Sequence, residues 1–170
     1  YLNMSGLSQD ISNMTPGEFE RAMHLRKKSK RVRDAALKNY INGRLGLLID
    51  GTGKDYPKIA KQKNRLQKVG YDCFMIFVNT DLEVALERNK KRERTLPEKL
   101  VKDSWQSVQN NLGKFQGLFG TGNMIIVDNS EFKAFPSIVK KGANEFITRK
   151  IQNPIAKAWI KKELELRKKK

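Results

Sequence analysis

The run Tyr71-Asp72-Cys73-Phe74-Met75-Ile76-Phe77-Val78-Asn79 constrains the fold more than any other stretch. From Cys73 to Val78 it is continuously apolar, with β-branched and aromatic side chains. Alternation would leave one face of a strand in water. A continuous run predicts a strand buried on both faces, the habit of parallel sheets covered by helices. The flanks agree. Before it, "DYPKIAKQKNRLQKVG" carries Ile59, Leu66 and Val69 on a helical pattern and ends in Gly70, a helix stop. After it, Thr80-Asp81-Leu82-Glu83 has the form of a capping box and opens a helix through "VALERNKKRER".

Two further short apolar runs, "RLGLLID" (44–50) and "NMIIVDN" (123–129), read as strands. Thr15-Pro16-Gly17-Glu18 predicts the start of a basic helix that runs to about Asn39 and ends near Gly43. Pro97 begins a helix with Leu100, Trp105, Val108, Leu112, Phe115 and Phe119 near helical spacing, stopped by Gly120. Ser130 to Ile151 reads as helix, and Asn153-Pro154 begins a last one. Helices alternating with short strands make this an α/β fold with a parallel sheet flanked by helices. The expected organisation is 1–43 as an N-terminal loop and basic helix, 44–151 as an α/β core, and 152–170 as a C-terminal basic helix and tail.

The 170 residues suffice for one domain with a core. The formal net charge of +17 predicts attraction to polyanions. The basic segments 26–33 ("RKKSKRVR") and 161–170 are the expected contacts for nucleic acid. No apolar stretch approaches the length of a membrane span, so no membrane partner is expected. The single cysteine, Cys73, excludes an internal disulfide and reads as a small core residue. No signal-peptide pattern opens the chain, and a cytoplasmic location is expected. The lone histidine, His24, has no companion ligands, so no metal site is expected within the chain. No Ser–His nucleophile pair can be defended.

Gly51-Thr52-Gly53-Lys54 imitates a phosphate-binding loop but fails the pattern. A P-loop reads G-x-x-x-x-G-K-[ST], its backbone N–H groups cradling phosphate and its hydroxyl holding Mg²⁺. Here Asp55 follows Lys54, and Leu48 stands five residues before Gly53. In open α/β sheets, ligands bind beyond the carboxyl ends of strands. Asp50-Gly51-Thr52, Asn79-Thr80-Asp81 and Asp128-Asn129 fall at such ends. The Asp50 carboxylate could accept a proton from a hydroxyl or help hold Mg²⁺, and Thr52 could hydrogen-bond a substrate. Equally, Asp50 could cap the helix that begins near Asp55. Arg88 and Arg92 lie four apart on one helix face, and Arg94 sits at the break before Pro97, where a flap could hinge. Their guanidinium groups suit phosphate oxygens, though a solvated basic face is the plain alternative.

The order of these pieces resembles the zeta-toxin and polynucleotide-kinase-like branch of the P-loop kinases. The likeness runs over roughly 44 to 129: Ile49-Asp50-Gly51-Thr52 after a strand, a helix closing on Val69-Gly70-Tyr71, the strand "CFMIFV", then Leu86-Glu87-Arg88-Asn89 with Arg92, Arg94 and Pro97. The resemblance implies that Asp50, Gly51 and Thr52 contact the phosphate acceptor. It implies that Arg88 and one of Arg92 or Arg94 bind ATP phosphates and act in catalysis. The implied reaction is ATP-dependent phosphorylation of a hydroxyl on a sugar, nucleotide or polynucleotide, with ATP and Mg²⁺ as cofactors. The departure is the family's P-loop, which nothing in residues 1 to 43 matches. The resemblance therefore implies the C-terminal portion of a longer kinase, inactive alone, whose sheet lacks its middle, P-loop-bearing strand. An upstream segment or a partner chain would complete that sheet. The other class of function is a non-catalytic, basic, nucleic-acid-binding or structural protein on a degenerate kinase scaffold.

Overall fold

The computed structural model describes Gly6 and residues 14–92, 95–131 and 135–169. Six helices and two strands follow one another: α1 (Pro16–Asn42), α2 (Tyr56–Lys68), β1 (Met75–Asn79), α3 (Leu82–Lys90), α4 (Glu98–Phe119), β2 (Met124–Asp128), α5 (Phe135–Thr148) and α6 (Pro154–Lys168). A 3-10 turn, Thr121–Asn123, leads into β2. The chain divides into two compact units. One holds the residues through Gly51 together with Leu86–Val101; the other holds Thr52–Ala85 and Lys102–Lys170.

The helix ends follow from local chemistry. At α1 the Thr15 side chain accepts from the Glu18 N–H, and the Glu18 carboxylate accepts from the Thr15 N–H at 2.9 Å. That reciprocal bonding satisfies two N–H groups that no helix carbonyl can reach. At α6 the Asn153 side chain accepts from the Ile155 N–H, and Pro154 follows it. Gly70 and Gly120 have φ of 108° and 80°, a backbone that side chains resist, so α2 and α4 stop where glycine stands.

In the second unit β1 and β2 pair in parallel, Met75 against Met124 through Asn79 against Asp128. Phe77 and Met124 turn one face of this pair toward Phe115 of α4, which is 0% exposed. Tyr56 and Ile59 of α2, with Val108, Leu112 and Phe119, close round them. Ile125 points the other way and meets α5 at Gly142, where a Cβ would lie 2.0 Å from the Ile125 Cδ1. Only a glycine lets α5 approach that closely. Below it Phe74 stacks on Phe146 with ring centroids 4.6 Å apart, and the Arg149 guanidinium lies over both rings.

The sheet of the described residues has two strands, not three. The run 44–50 forms no strand. Leu48 is 98% exposed, with Leu45 and Ile49 also in water. Its residues suit a strand, but a strand exists only where a neighbour completes its hydrogen bonds. β1 begins at Met75 rather than Tyr71, and Val78 is exposed, so burial on both faces holds only at its centre. α3 begins at Leu82, which moves the cap position from Thr80 to Asp81. Trp105 is half-buried, whereas Trp159 is 39% exposed.

Candidate functional site

The carboxyl end of the β1–β2 pair is a built polar surface. The Asn129 N–H donates to the Asn79 carbonyl at 2.8 Å, carrying the pairing one residue past the strands. From α4, Gln109 Nε2 donates to Asn79 Oδ1 at 2.8 Å, and the Trp105 indole donates to the Thr80 carbonyl at 2.8 Å. The Asp81 N–H donates to Ser130 Oγ at 3.0 Å, and the Ser130 N–H to Asp128 Oδ1 at 2.8 Å. The bonds from Ser130, its backbone N–H first and its hydroxyl second, hold the Asp128 carboxyl below the usual aspartate range. Among the described residues one buried side-chain oxygen, Asn129 Oδ1, has no partner. A buried acceptor left open is costly unless a donor arrives. The expected placement of Asn79-Thr80-Asp81 and Asp128-Asn129 at strand ends is therefore met, whereas Asp50-Gly51-Thr52 follows no strand, since 44–50 forms none. Trp105, Gln109 and Ser130 were not singled out for this end, although the i, i+4 spacing of Trp105 and Gln109 puts them on one face of α4.

Gly53-Lys54-Asp55 is a pinned turn. Asn111, only 6% exposed, donates through Nδ2 to the carbonyls of Gly53 at 3.1 Å and Lys54 at 3.0 Å. The Asp55 side chain accepts from the Lys58 N–H at 3.0 Å and caps α2. So Asp55, not Asp50, is the cap. This has a direct consequence for phosphate. A helix N-terminus attracts anions through its free N–H groups. Here a carboxylate of the chain already fills that position, where a P-loop has a hydroxyl. These residues do not fit a nucleotide phosphate, and Lys54 is no P-loop lysine.

In the first unit Asp50 and Gly51 are exposed; Thr52, exposed as well, opens the second unit. Asp50 is thus left available rather than used as a cap. Arg88 is half-buried on α3, and Arg92 is exposed in the bend after it. Arg94 lies outside the described residues. The loop carrying these arginines is clasped at its base. Asn89 Nδ2 donates to the Leu96 carbonyl at 2.9 Å, and the Leu96 N–H returns to Asn89 Oδ1 at 3.0 Å. That two-way bond holds Pro97 and the start of α4 against the end of α3. Beside it Lys91 bonds Glu87 at 2.5 Å, which draws the Glu87 carboxyl below its usual range. The role of Asn89 as a clasp depends on a partner seven residues away.

The zeta-toxin family model matches residues 13–140. The chain belongs to the zeta-toxin family. Its scaffold is accordingly that of a P-loop-kinase-like, ATP-dependent phosphotransferase, a family that uses ATP and Mg²⁺. The zeta-toxin match takes in Asp50-Gly51-Thr52, Arg88, Arg92 and Arg94, and stops before α6. No curated protein and no solved structure gives a match. Among the described residues no helix is long and apolar enough to cross a membrane.

Proposed function

We propose that this chain forms the acceptor side of a zeta-toxin phosphotransferase that phosphorylates a hydroxyl of a sugar, nucleotide or polynucleotide. The observation carrying the reading is that the family match encloses both the Asp50-Gly51-Thr52 motif and the arginine-bearing loop. Asp50 takes the proton of the attacking hydroxyl, and Thr52 hydrogen-bonds the acceptor. Gly51 lets the acceptor approach the backbone. Arg88, with Arg92 or Arg94, binds phosphate oxygens through the guanidinium fork, and the Asn89–Leu96 clasp sets where that loop springs from. The phosphoryl group comes from Mg-ATP held in an anion cradle supplied from outside these residues. The exposed side chains of Leu48 and Ile49 favour a strand or partner chain that pairs with this run.

One observation favours a second reading. With Asp55 seated at the N-terminus of α2, the scaffold fits a non-catalytic binding protein as well. Activity separates the two. In a form joined to a zeta-toxin P-loop segment, phosphoryl transfer should appear, and Asp50→Asn should lower it by roughly 10²-fold or more, the scale of a positioned proton acceptor. Transfer at the same rate in the Asp50→Asn protein would remove Asp50 from the mechanism. No transfer in either form would favour the binding protein.

A further inference from the structure

We propose that the middle of α1 is a docking helix for duplex DNA, entering the major groove and binding the phosphates on both sides of it. All ten residues from Arg26 to Ala35, about 15 Å of helix, are exposed. This stretch holds Arg26, Lys27, Lys28, Lys30, Arg31 and Arg33 against one acid, Asp34. At about 100° per residue, the six cations spread over an arc of about 220° round the helix axis. Arg26 and Arg33 mark one flank and Lys28 the other. Asp34 lies inside the arc and is tied to Arg33 at 2.7 Å. The remaining stripe, about 140° wide, holds Ser29 and Val32.

This geometry selects the partner. A helix lying on an anionic membrane needs an apolar face to bury, and Val32 with Ala35 is too little for one. A single flat surface would be met by one basic face, leaving cations on the flanks unused. A groove with phosphates along both walls uses the whole arc. The B-DNA major groove, about 12 Å wide, admits one α-helix of about 10–12 Å diameter. The A-form major groove is too deep and narrow for it. Five like-charged pairs at i, i+3 or i, i+4 also oppose this helix in isolation: Arg26–Lys30, Lys27–Arg31, Lys27–Lys30, Lys28–Arg31 and Lys30–Arg33. Phosphates that neutralise them tighten the helix, so binding and helix content rise together. The basic end of α6 is a weaker candidate, because Glu163 and Glu165 interrupt it. The inference rests on charge and exposure alone and holds whatever the acceptor of the phosphotransferase is.

The test is fluorescence anisotropy of the whole chain with a labelled DNA duplex of roughly two helical turns, together with far-ultraviolet circular dichroism. Four or more neutralised phosphates predict a log–log salt slope of about −4. Affinity should then fall about 10²-fold between about 50 and 200 mM salt. Replacing Lys27, Lys28, Lys30 and Arg31 by Gln should flatten the slope by about three or more. That variant loses like-charge repulsion and keeps α1, which its circular dichroism verifies. Asp34→Asn should bind more tightly, and helix signal should grow on adding DNA. An unaltered slope in the fourfold variant overturns the proposal. So does equal affinity for an A-form RNA duplex, or capture by vesicles of anionic lipid without binding to DNA.

Discussion

Gly142 shows how much one missing methyl group can decide. Alanine there would gain up to about 1 kcal/mol of helix propensity. Its Cβ would also drive the Ile125 Cδ1 out of place, and overpacking of this kind costs about 1–3 kcal/mol. Gly142→Ala should therefore destabilise the protein by about 1 kcal/mol in urea unfolding, the larger cost winning. Adding Ile125→Val removes the clashing atom and should restore stability; a double mutant no better than Gly142→Ala would refute the contact. Carboxylates held below their usual range give the acid response, Glu18 and Asp128 among them. Glu18 is lowered by the Thr15 hydroxyl and then the Thr15 N–H, and Asp128 by Ser130. A carboxyl lowered in the folded state binds fewer protons there than in the unfolded chain. Its contribution is therefore complete above the ordinary carboxylate range and is lost as pH falls through the folded value. In an acid titration of helix content, Glu18→Gln should blunt the loss of α1 below about pH 4.5, where the unperturbed carboxyl begins to protonate.

At the scale of elements, Asn111 is the residue on which the turn before α2 depends. It interrupts the apolar row of Val108, Leu112 and Phe115 on α4, and its amide is spent on two backbone carbonyls. Asn111→Leu would leave those carbonyls without their donor in a partly buried turn, costing about 1–3 kcal/mol. A thermal shift smaller than that of an exposed-site control such as Gln106→Leu would show that the turn holds itself. Caps and stops were legible because their chemistry is local: Thr15 with Glu18, Gly70, Gly120, and Asn153 before Pro154 all act within one turn. The strand at 75–79 was legible from its β-branched and aromatic run, although burial on both faces holds only at its centre. The run 44–50 misled because its fate depends on a distant neighbour. Composition gave it a strand's side chains, and the described chain gives it no ladder. The assignment of the α2 cap stayed open in the sequence because Asp50 and Asp55 are both plausible oxygens, and only the bond to Lys58 separates them.

At the scale of the whole molecule, the family could be recognised in the chain, because the order of its pieces survives as a linear pattern over residues that the family match also spans. The Asn89–Leu96 clasp, the Asn111 pin and the open Asn129 Oδ1 could not. Each is a relation between residues that meet only after folding. What unites these features is a phosphotransferase scaffold whose own Gly-Lys sequence is closed by a carboxylate at the helix N-terminus. Phosphoryl transfer relies on backbone N–H groups, a lysine and Mg²⁺ arranged around the phosphates, and arginines alone do not replace that set. Isothermal titration of Mg-ATP into this 170-residue chain tests the claim most directly. The account predicts no saturable, Mg²⁺-dependent binding and no release of phosphate. Tight Mg²⁺-dependent binding with turnover, lost in Lys54→Ala, would contradict it and make Gly53-Lys54 the phosphate site after all.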